Sequence, residues 1–352
     1  LLADQPFAKM LEVNGAIRFT DYSTSGGVTT WKLGGIWEPT DSVRFRATRS
    51  RDIRAPNALE LFDRGKITPG RVTDRPSGID AVADVRTGGN LGLRPEVANT
   101  WTAGIVLQPR FVPNLRVSAD WFDIDIEGAI AYLGPQFIVD RCAEGESDLC
   151  SLITRNSLGI ITYIDAPSLN VNRMTMRGLD FEMAYRVALH GESALDFRLV
   201  GSYIRDLITV DAAGSINRAG QTGASSNGPT GLPRWTLNGN ITYTEGPFKL
   251  NVEGRYIPKG IYEATYVGPQ DAGYDPQLSN SIDNNRVDAR FYANLGAQFT
   301  IPTSNRAELE LYGAVHNLFN QDPPLAPNGI ATNAVLFDTV GRTFRVGARV
   351  KY

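Results

Sequence analysis

The chain has little of what a membrane helix, a metal centre or a catalytic site would need. No run among its 352 residues is long and apolar enough for a helical span, with mean hydropathy at −0.20, 42% hydrophobic residues and 21% charged ones. That excludes membrane helices only. Barrel strands are about ten residues long and half polar, so they leave such averages unremarkable. Histidine is limited to His190 and His316, one in a short polar turn and one on a strand. The two cysteines, Cys142 and Cys150, sit in a polar segment with no metal-ligand spacing around them. A Ser/His/Asp arrangement as in an outer-membrane phospholipase is compatible with composition alone. No motif supports it, and the sequence reads as a non-enzyme without a cofactor. Lysine is scarce at 6 residues, so of the 35 basic residues 35 − 6 = 29 are arginine. A net charge of −3 argues against a nucleic-acid partner. Neither an initiator Met nor a signal segment precedes the first strand-like alternation, so the chain reads as part of something longer.

What is abundant is two-residue alternation. At the end of the chain Phe344, Val346, Ala348, Val350 and Tyr352 share one face, and Arg345, Gly347, Arg349 and Lys351 the other. The same form recurs along the chain and predicts about twelve strands. They are centred on Leu11–Phe19, Trp31–Trp37, Val43–Ala47, Trp101–Leu107, Leu115–Trp121, Leu179–Val187, Leu195–Tyr203, Trp235–Tyr243, Phe248–Tyr256, Val287–Ile301, Leu309–Val315 and Phe344–Tyr352. Connections alternate between short turns, at 38–42, 109–114, 190–193, 245–247 and 302–305, and long segments, at roughly 52–94, 133–168, 208–230, 260–285 and 320–334. Outer-membrane barrels place short turns at the periplasmic end and long loops outside. Aromatics gather beside the short turns, at Trp37, Tyr185, Tyr243, Phe248, Phe299 and Tyr352, as an interfacial girdle would. The expected fold is all-β, an antiparallel up-and-down transmembrane β-barrel formed by residues 1–352 as a single domain fragment. Two unpaired edges in lipid are costly, so further strands are expected upstream.

Five blocks then carry a family resemblance. Arg51-Asp-Ile-Arg-Ala-Pro-Asn-Ala-Leu-Glu-Leu-Phe62 comes first, then Leu93-Arg-Pro-Glu96 with Thr100 and Gly104. Asn172 with Gly178-Leu-Asp180, Asn317-Leu-Phe319, and Gly341-Arg342 follow in order. With these the chain resembles the C-terminal half of the barrel of a TonB-dependent outer-membrane receptor. The resemblance implies about 12 strands of a presumed 22-stranded barrel around a plug that this chain lacks. It implies active import of a scarce solute by the parent protein, whether a siderophore, another metal chelate or an oligosaccharide. The implied partners are the TonB complex, reached through the missing plug region, the barrel-assembly machinery, and outer-membrane lipid and lipopolysaccharide. The assembly signal would be the outer face of the last strand, Phe344 to Tyr352, although the family usually ends on Phe. A passive porin or a purely structural barrel is the alternative.

Individual residues carry paired expectations. Cys142 and Cys150 suit a disulfide closing a small extracellular loop. Arg44, Arg46, Arg198, Arg255, Arg345 and Arg349 face the lumen, either steering an anion or pairing with Asp196, Glu253, Glu308 and Glu310 on neighbouring strands or with carboxylates of the plug. Arg49, Arg51 and Arg54 lie where the third strand leaves the membrane and are candidates to touch solute or lipid phosphate, or to hold the turn. The loop aromatics Tyr262, Tyr266 and Tyr274 are candidates to stack on a sugar or chelate.

Overall fold

A computed structural model describes residues 2–351 apart from 171–172, 212–213, 225–230, 279, 303–306 and 326–331. Strand β1 (Leu2–Gln5) turns at Pro6 and Phe7 into β2 (Ala8–Tyr22), which is followed by β3 (Gly26–Thr40) and β4 (Val43–Arg54). A long segment then carries α1 (Ala58–Phe62), β5 (Lys66–Asp74) and β6 (Ile79–Gly88) before β7 (Glu96–Leu107) and β8 (Leu115–Glu127). The next carries β9 (Ile130–Tyr132), α2 (Pro135–Ala143), α3 (Ser147–Cys150), β10 (Ile153–Arg155) and β11 (Ile161–Asn170). After β12 (Arg173–Ala188), β13 (Ala194–Asp211) and the short β14 (Gly214–Asn217) come β15 (Trp235–Glu245) and β16 (Phe248–Ile257). The pair β17 (Gly260–Ile261) and β18 (Arg286–Val287) precedes β19 (Arg290–Pro302), β20 (Glu308–His316) and β21 (Thr343–Lys351).

The wall is one antiparallel meander in the order β1-β2-β3-β4-β7-β8-β12-β13-β15-β16-β19-β20-β21, with β14 added beside β13. Pairing between sequence neighbours is what lipid demands, because each backbone N–H and C=O there must find its partner on the next strand. The twelve alternating segments all become wall strands, and β1 adds a thirteenth. One expectation needs correcting: Val287–Ile301 is not a single strand. Val287 belongs to β18 and is only 2% exposed, and the wall strand starts at Arg290. Periodicity ran on through Ala289 because a buried loop residue and a lipid-facing residue are both apolar.

Two aromatic bands cross the wall obliquely. Following the register from Trp31, Trp101 lies two residues below that row, Trp121 and Trp235 four, Phe291 six and Phe344 ten. Ten residues over the ten strand steps from β3 to β21 is a stagger of one residue per strand. With a rise of about 3.3 Å and a strand spacing of about 4.8 Å, that corresponds to a tilt of about 35°, the value barrel closure requires. The lower band, Trp37, Tyr185, Tyr243, Phe248 and Phe299, keeps the same slope. Eight residues separate Trp235 from Tyr243 and Phe291 from Phe299, which is about 22 Å along the membrane normal and close to an apolar band of about 25 Å.

Above the upper band the faces exchange. On β8 and β12 the outward positions become Asp123, Asp125, Arg173 and Arg177, joined as the ion pairs Arg177–Asp123 and Arg173–Asp125. The inward positions become Phe122, Ile124 and Met176, packed with Ile204, Leu207 and Ala219. Hydrocarbon no longer covers the outside there, while the segment around Ala219 covers the inside. At the exchange β13 carries one extra residue, Arg205, opposite Arg177 and Gly178. Gly178 is required at that bulge, since a Cβ on it would sit 2.2 Å from the Tyr203 carbonyl oxygen.

The long segments fold on each other. Those after β4 and β8 share a sheet in the order β10-β11-β6-β5, joined by parallel pairing of β6 with β11. Helix α2 covers it, burying Ile138, Val139, Val72, Val85, Ile161 and Ile164. Pro69 lies on the edge strand β5, where its missing donor costs no ladder bond. The Cys142–Cys150 disulfide ties α2 to α3, and in the chain-entropy model a loop this short contributes about 2 kcal/mol. A second lobe joins the segments after β14, β16 and β20 around Ile257, Tyr262, Val287, Tyr292 and Phe337.

The lipid assignment has a direct test. Val252 is 41% exposed and lies midway between the bands on the outward face of β16. Val252→Arg is expected to destabilise the folded wall by about 2–4 kcal/mol in chemical unfolding from lipid vesicles, whereas an inward change such as Thr242→Arg costs much less. Equal costs would place the membrane elsewhere.

Candidate functional site

The concave face of the wall is built from the side chains opposite the aromatic bands. On β4 these are Arg44, Arg46, Thr48, Ser50, Asp52 and Arg54. Arg44 pairs with Glu38. Arg46 reaches across the whole width of β7 to Asp120 on β8, with Nη2 2.6 Å from Oδ2. The bridge exists because the intervening register position is Gly104, where a Cβ would lie 2.0 Å from Asp120 Oδ1. Further along, Arg198 Nε lies 2.9 Å from Glu182 Oε1, and Ser202 donates to Asp180 at 2.6 Å. Glu310, only 6% exposed, accepts Arg349 at 3.5 Å and Lys351 at 3.1 Å.

Of the four carboxylates expected as partners of the lumen-facing arginines, Glu310 meets Arg349, whereas Asp196 meets Arg186, Glu253 accepts a hydrogen bond from Asn294 at 2.9 Å, and Glu308 is exposed. The reason is tilt: Arg198 is opposite Ala184 in register and finds its carboxylate one pleat away on the diagonal. Arg255 and Arg345 are in no ion pair among the described residues. They stack instead over inward tyrosines, Arg255 at 5.2 Å from the Tyr292 ring and Arg345 at 5.9 Å from Tyr312.

Two clefts open on this face. One, of about 370 Å³, is lined by Arg46, Asp120, Asp180, Glu182 and Asn238. The other, of about 490 Å³, lies under the second lobe and is lined by Glu253, Arg255, Tyr292, Asn294, His316 and Asp338. Both carry mixed charge and hydrogen-bonding groups, which suits a polar solute or a polar protein surface.

The bases of the long segments are clamped by residues of the motif blocks. Arg54 makes bidentate bonds to Glu96 at 2.8 and 2.6 Å and reaches Glu60 at 3.0 Å. Glu60 completes a capping box with Asn57 at the start of α1, and Glu96 also accepts the Ile130 N–H at 2.7 Å. One guanidinium thus joins the exit of β4, the first turn of α1 and the entry of β7. At the other end of the wall Asn317, 2% exposed, donates to Asp338 at 2.9 Å and accepts from the Gln321 N–H at 2.7 Å. Asn320 accepts from the Arg342 N–H at 2.9 Å. Asn172 and Tyr352 lie outside the described residues.

The remaining candidates divide by place. Arg49 and Arg51 share the outward parity of Phe45 and Ala47, so they face the membrane border rather than the concave wall. Tyr262 is 7% exposed inside the second lobe and is not free to stack on a solute. Tyr266 and Tyr274 are half-buried, and the Tyr274 hydroxyl bonds Asp283 at 3.4 Å. The sequence marked Arg54 only as a residue at the membrane exit, and its inward direction follows from the register of β4 with β7; Glu60 and Glu96 carried no signal of their own beyond their places in the motif blocks.

In the first lobe Asp74, 4% exposed, receives both Nη atoms of Arg155 at 2.8 and 2.9 Å and the Ser77 hydroxyl at 2.6 Å. The Arg155 bonds hold its carboxyl below the ordinary aspartate value of 3.8, against the opposing effect of burial and with help from Ser77.

Comparison with known proteins adds the following. A family model described as TonB dependent receptor-like, beta-barrel, matches residues 1–318. The siderophore receptor PirA from Acinetobacter baumannii is similar at 16% identity with a TM-score of 0.63, over 97% of this chain and 43% of that one. A variant of the ferric enterobactin receptor PfeA from Pseudomonas aeruginosa, solved with enterobactin, is similar at 17% identity with a TM-score of 0.64, over 97% and 43%. The FrpB iron transporter from Neisseria meningitidis follows at 15% identity and 0.55, over 96% and 42%. The chain therefore spans less than half the length of each, and at these identities the likeness is one of fold. No curated protein matches significantly.

Two outcomes follow from the clamps. Arg54→Ala leaves Glu60 and Glu96 facing each other; with the guanidinium partly exposed, the expected cost is about 1–2 kcal/mol. It should show as faster amide exchange at Glu60 and Ile130 with β19–β21 unchanged; uniform exchange across the wall would contradict a local clamp. The depressed Asp74 carboxyl binds its proton more weakly in the fold than in the unfolded chain. Its stabilisation is thus complete above pH 3.8 and is lost as pH falls through the lower folded value. Protease resistance of the first lobe should follow that profile, and Asp74→Asn should flatten it.

Proposed function

Because the chain belongs to the TonB-dependent receptor β-barrel family, we propose that it forms one side of an outer-membrane importer that takes up a scarce metal chelate of the siderophore class with energy from TonB. The observation that supports this most is the joint arrangement of a polar, ion-paired wall face and long segments that fold on one another at one end of it. A solute captured between the lobes would meet, on the wall below, groups whose charges are already balanced. Arg46 by Asp120, Arg198 by Glu182 and Arg349 by Glu310 leave little net field to trap a passing anion. Arg255 and Arg345 are not balanced in this way, and of the two it is Arg255, held over Tyr292 at 5.2 Å, that lines the larger of the two clefts.

In this reading the plug contributed by the rest of the protein fills the lumen against the concave face, and energy delivered through TonB rearranges it. The outer face of β21, with Phe344, Val346, Ala348 and Val350, engages the barrel-assembly machinery together with the terminal Tyr352. The first lobe, stapled at Cys142–Cys150, is exposed at the cell surface.

Accumulation of iron-59 presented as a ferric siderophore, in cells carrying the protein as their only such receptor, tests the proposal. Uptake should saturate and collapse when the proton-motive force is dissipated. Arg255→Ala should raise the half-saturating concentration roughly tenfold without lowering the amount of protein in the outer membrane. Uptake that is linear in concentration and indifferent to the protonophore would show a passive channel instead.

A further inference from the structure

The two clefts on the inner wall face adjoin one another, because Asn238 lines both. Their charged side chains do not sum to zero. In the smaller cleft Arg46 is paired with Asp120, and Glu182 with Arg198. Asp180 is left over: its carboxylate accepts the Ser202 hydroxyl at 2.6 Å and is in no ion pair among the described residues. In the larger cleft Glu253 is likewise held by a neutral donor, the Asn294 amide at 2.9 Å. Asp338, which the second lobe brings onto that cleft, accepts the backbone N–H groups of Val340 at 2.9 Å and Gly341 at 3.3 Å, and the Asn317 amide at 2.9 Å. Burial opposes ionisation of Asp338, but these donors prevail and hold its carboxyl below the ordinary 3.8.

Three carboxylates thus remain against one lining cation, Arg255. The nearest other arginines are turned elsewhere. Arg290 donates to the carbonyls of Asp322 and Ala289. Arg345 lies over Tyr312, which stands two residues further from the second lobe than Ala314, its own register partner. Low-dielectric walls concentrate such an excess of one sign on whatever enters the cleft. A polyanionic solute would be repelled at this level, and one with a positive group drawn in. A further group stands ready for a solute: Tyr292 is only 4% exposed, lines the larger cleft, and its hydroxyl has no hydrogen-bond partner. With the Arg255 N–H groups it offers donors to the oxygens around a bound metal, while Asp180 and Glu253 offer acceptors to a cation at the periphery of the chelate.

We propose that the solute is a chelate without net negative charge, a ferric trihydroxamate bearing a free ammonium group, and that Asp180 and Glu253 select it over a trianionic ferric tris-catecholate. The proposal rests on the transport role put forward above and specifies the charge of the solute at that same site.

Two measurements on the full-length protein keep the two readings apart. Tryptophan fluorescence of the purified protein reports binding, and iron-59 accumulation in cells carrying it as their only such receptor reports uptake. The probes are ferrioxamine B with its free ammonium, the same chelate acetylated at that amine, and ferric enterobactin. The first is expected to bind about tenfold more tightly than the second, from which it differs only by the acetyl group and one charge, and more tightly still than the third. Asp180→Asn combined with Glu253→Gln keeps both hydrogen-bond acceptors and should narrow the difference between the first two probes to within about twofold. The double variant must show the heat-modifiable migration of the wild type, which reports a folded barrel. Equal binding of the ammonium and acetylated forms, tighter binding of ferric enterobactin, or a difference undiminished in the folded double variant would overturn the proposal. No binding by any of the three would overturn the trihydroxamate assignment and leave transport of another solute standing. Binding with the expected preference but no protonophore-sensitive uptake would overturn the transport role and leave the charge selection standing. Energy-dependent uptake that favours ferric enterobactin would do the reverse.

Discussion

Satisfaction of backbone hydrogen bonds in a medium that offers none is the constraint on which the rest of this structure depends. Between the two aromatic bands each strand must pair with its neighbours, so the chain meanders from neighbour to neighbour. Pairing in turn sets the two-residue alternation that gives one apolar and one polar face. The stagger of one residue per strand then tilts the strands, and the tilt decides which side chains meet. Arg46 finds Asp120 over Gly104, and Arg198 finds Glu182 on the diagonal, because the sheet is sheared. The polar wall is thus a consequence of the lipid-facing one.

Where the hydrocarbon ends, the constraint ends with it. The faces of β8 and β12 exchange, charged pairs move outward, and the inside is packed by the returning chain. The long segments then build their own cores and are tied to the wall at few points. Arg54 with Glu60 and Glu96 holds one end, and Asn317 with Asp338 holds another. These clamps explain why the motif blocks fall at strand exits: they are parts of the same contacts, separated in sequence and joined in space.

Much of the wall was legible in the sequence because lipid imposes a period that no other pressure disturbs. Trp235 to Tyr243 and Phe248 to Tyr256 could be read as strands residue by residue. The one strand read too long, Val287–Ile301, failed at the point where a loop core and a lipid face both ask for apolar residues. The site was less legible. Tyr262 looked like an exposed loop aromatic and is a core residue, because sequence contains no record of which long segments pack together. Arg49 and Arg51 were seen as lying at the membrane exit, but their outward direction follows only from the register with Trp101 and Trp31.

By itself the sequence determined the strands, their alternation of faces, the ends carrying short and long connections, and the family motifs. Those depend on local period and on the solvent each face meets, both of which are written in consecutive residues. Tertiary structure alone decided the ion-pair partners across the wall, the parallel joining of β6 to β11, the burial of Tyr262 and the pairing of two arginines with two tryptophans. Each of these is set by shear and by contacts between segments far apart in the chain, and no stretch of consecutive residues encodes them.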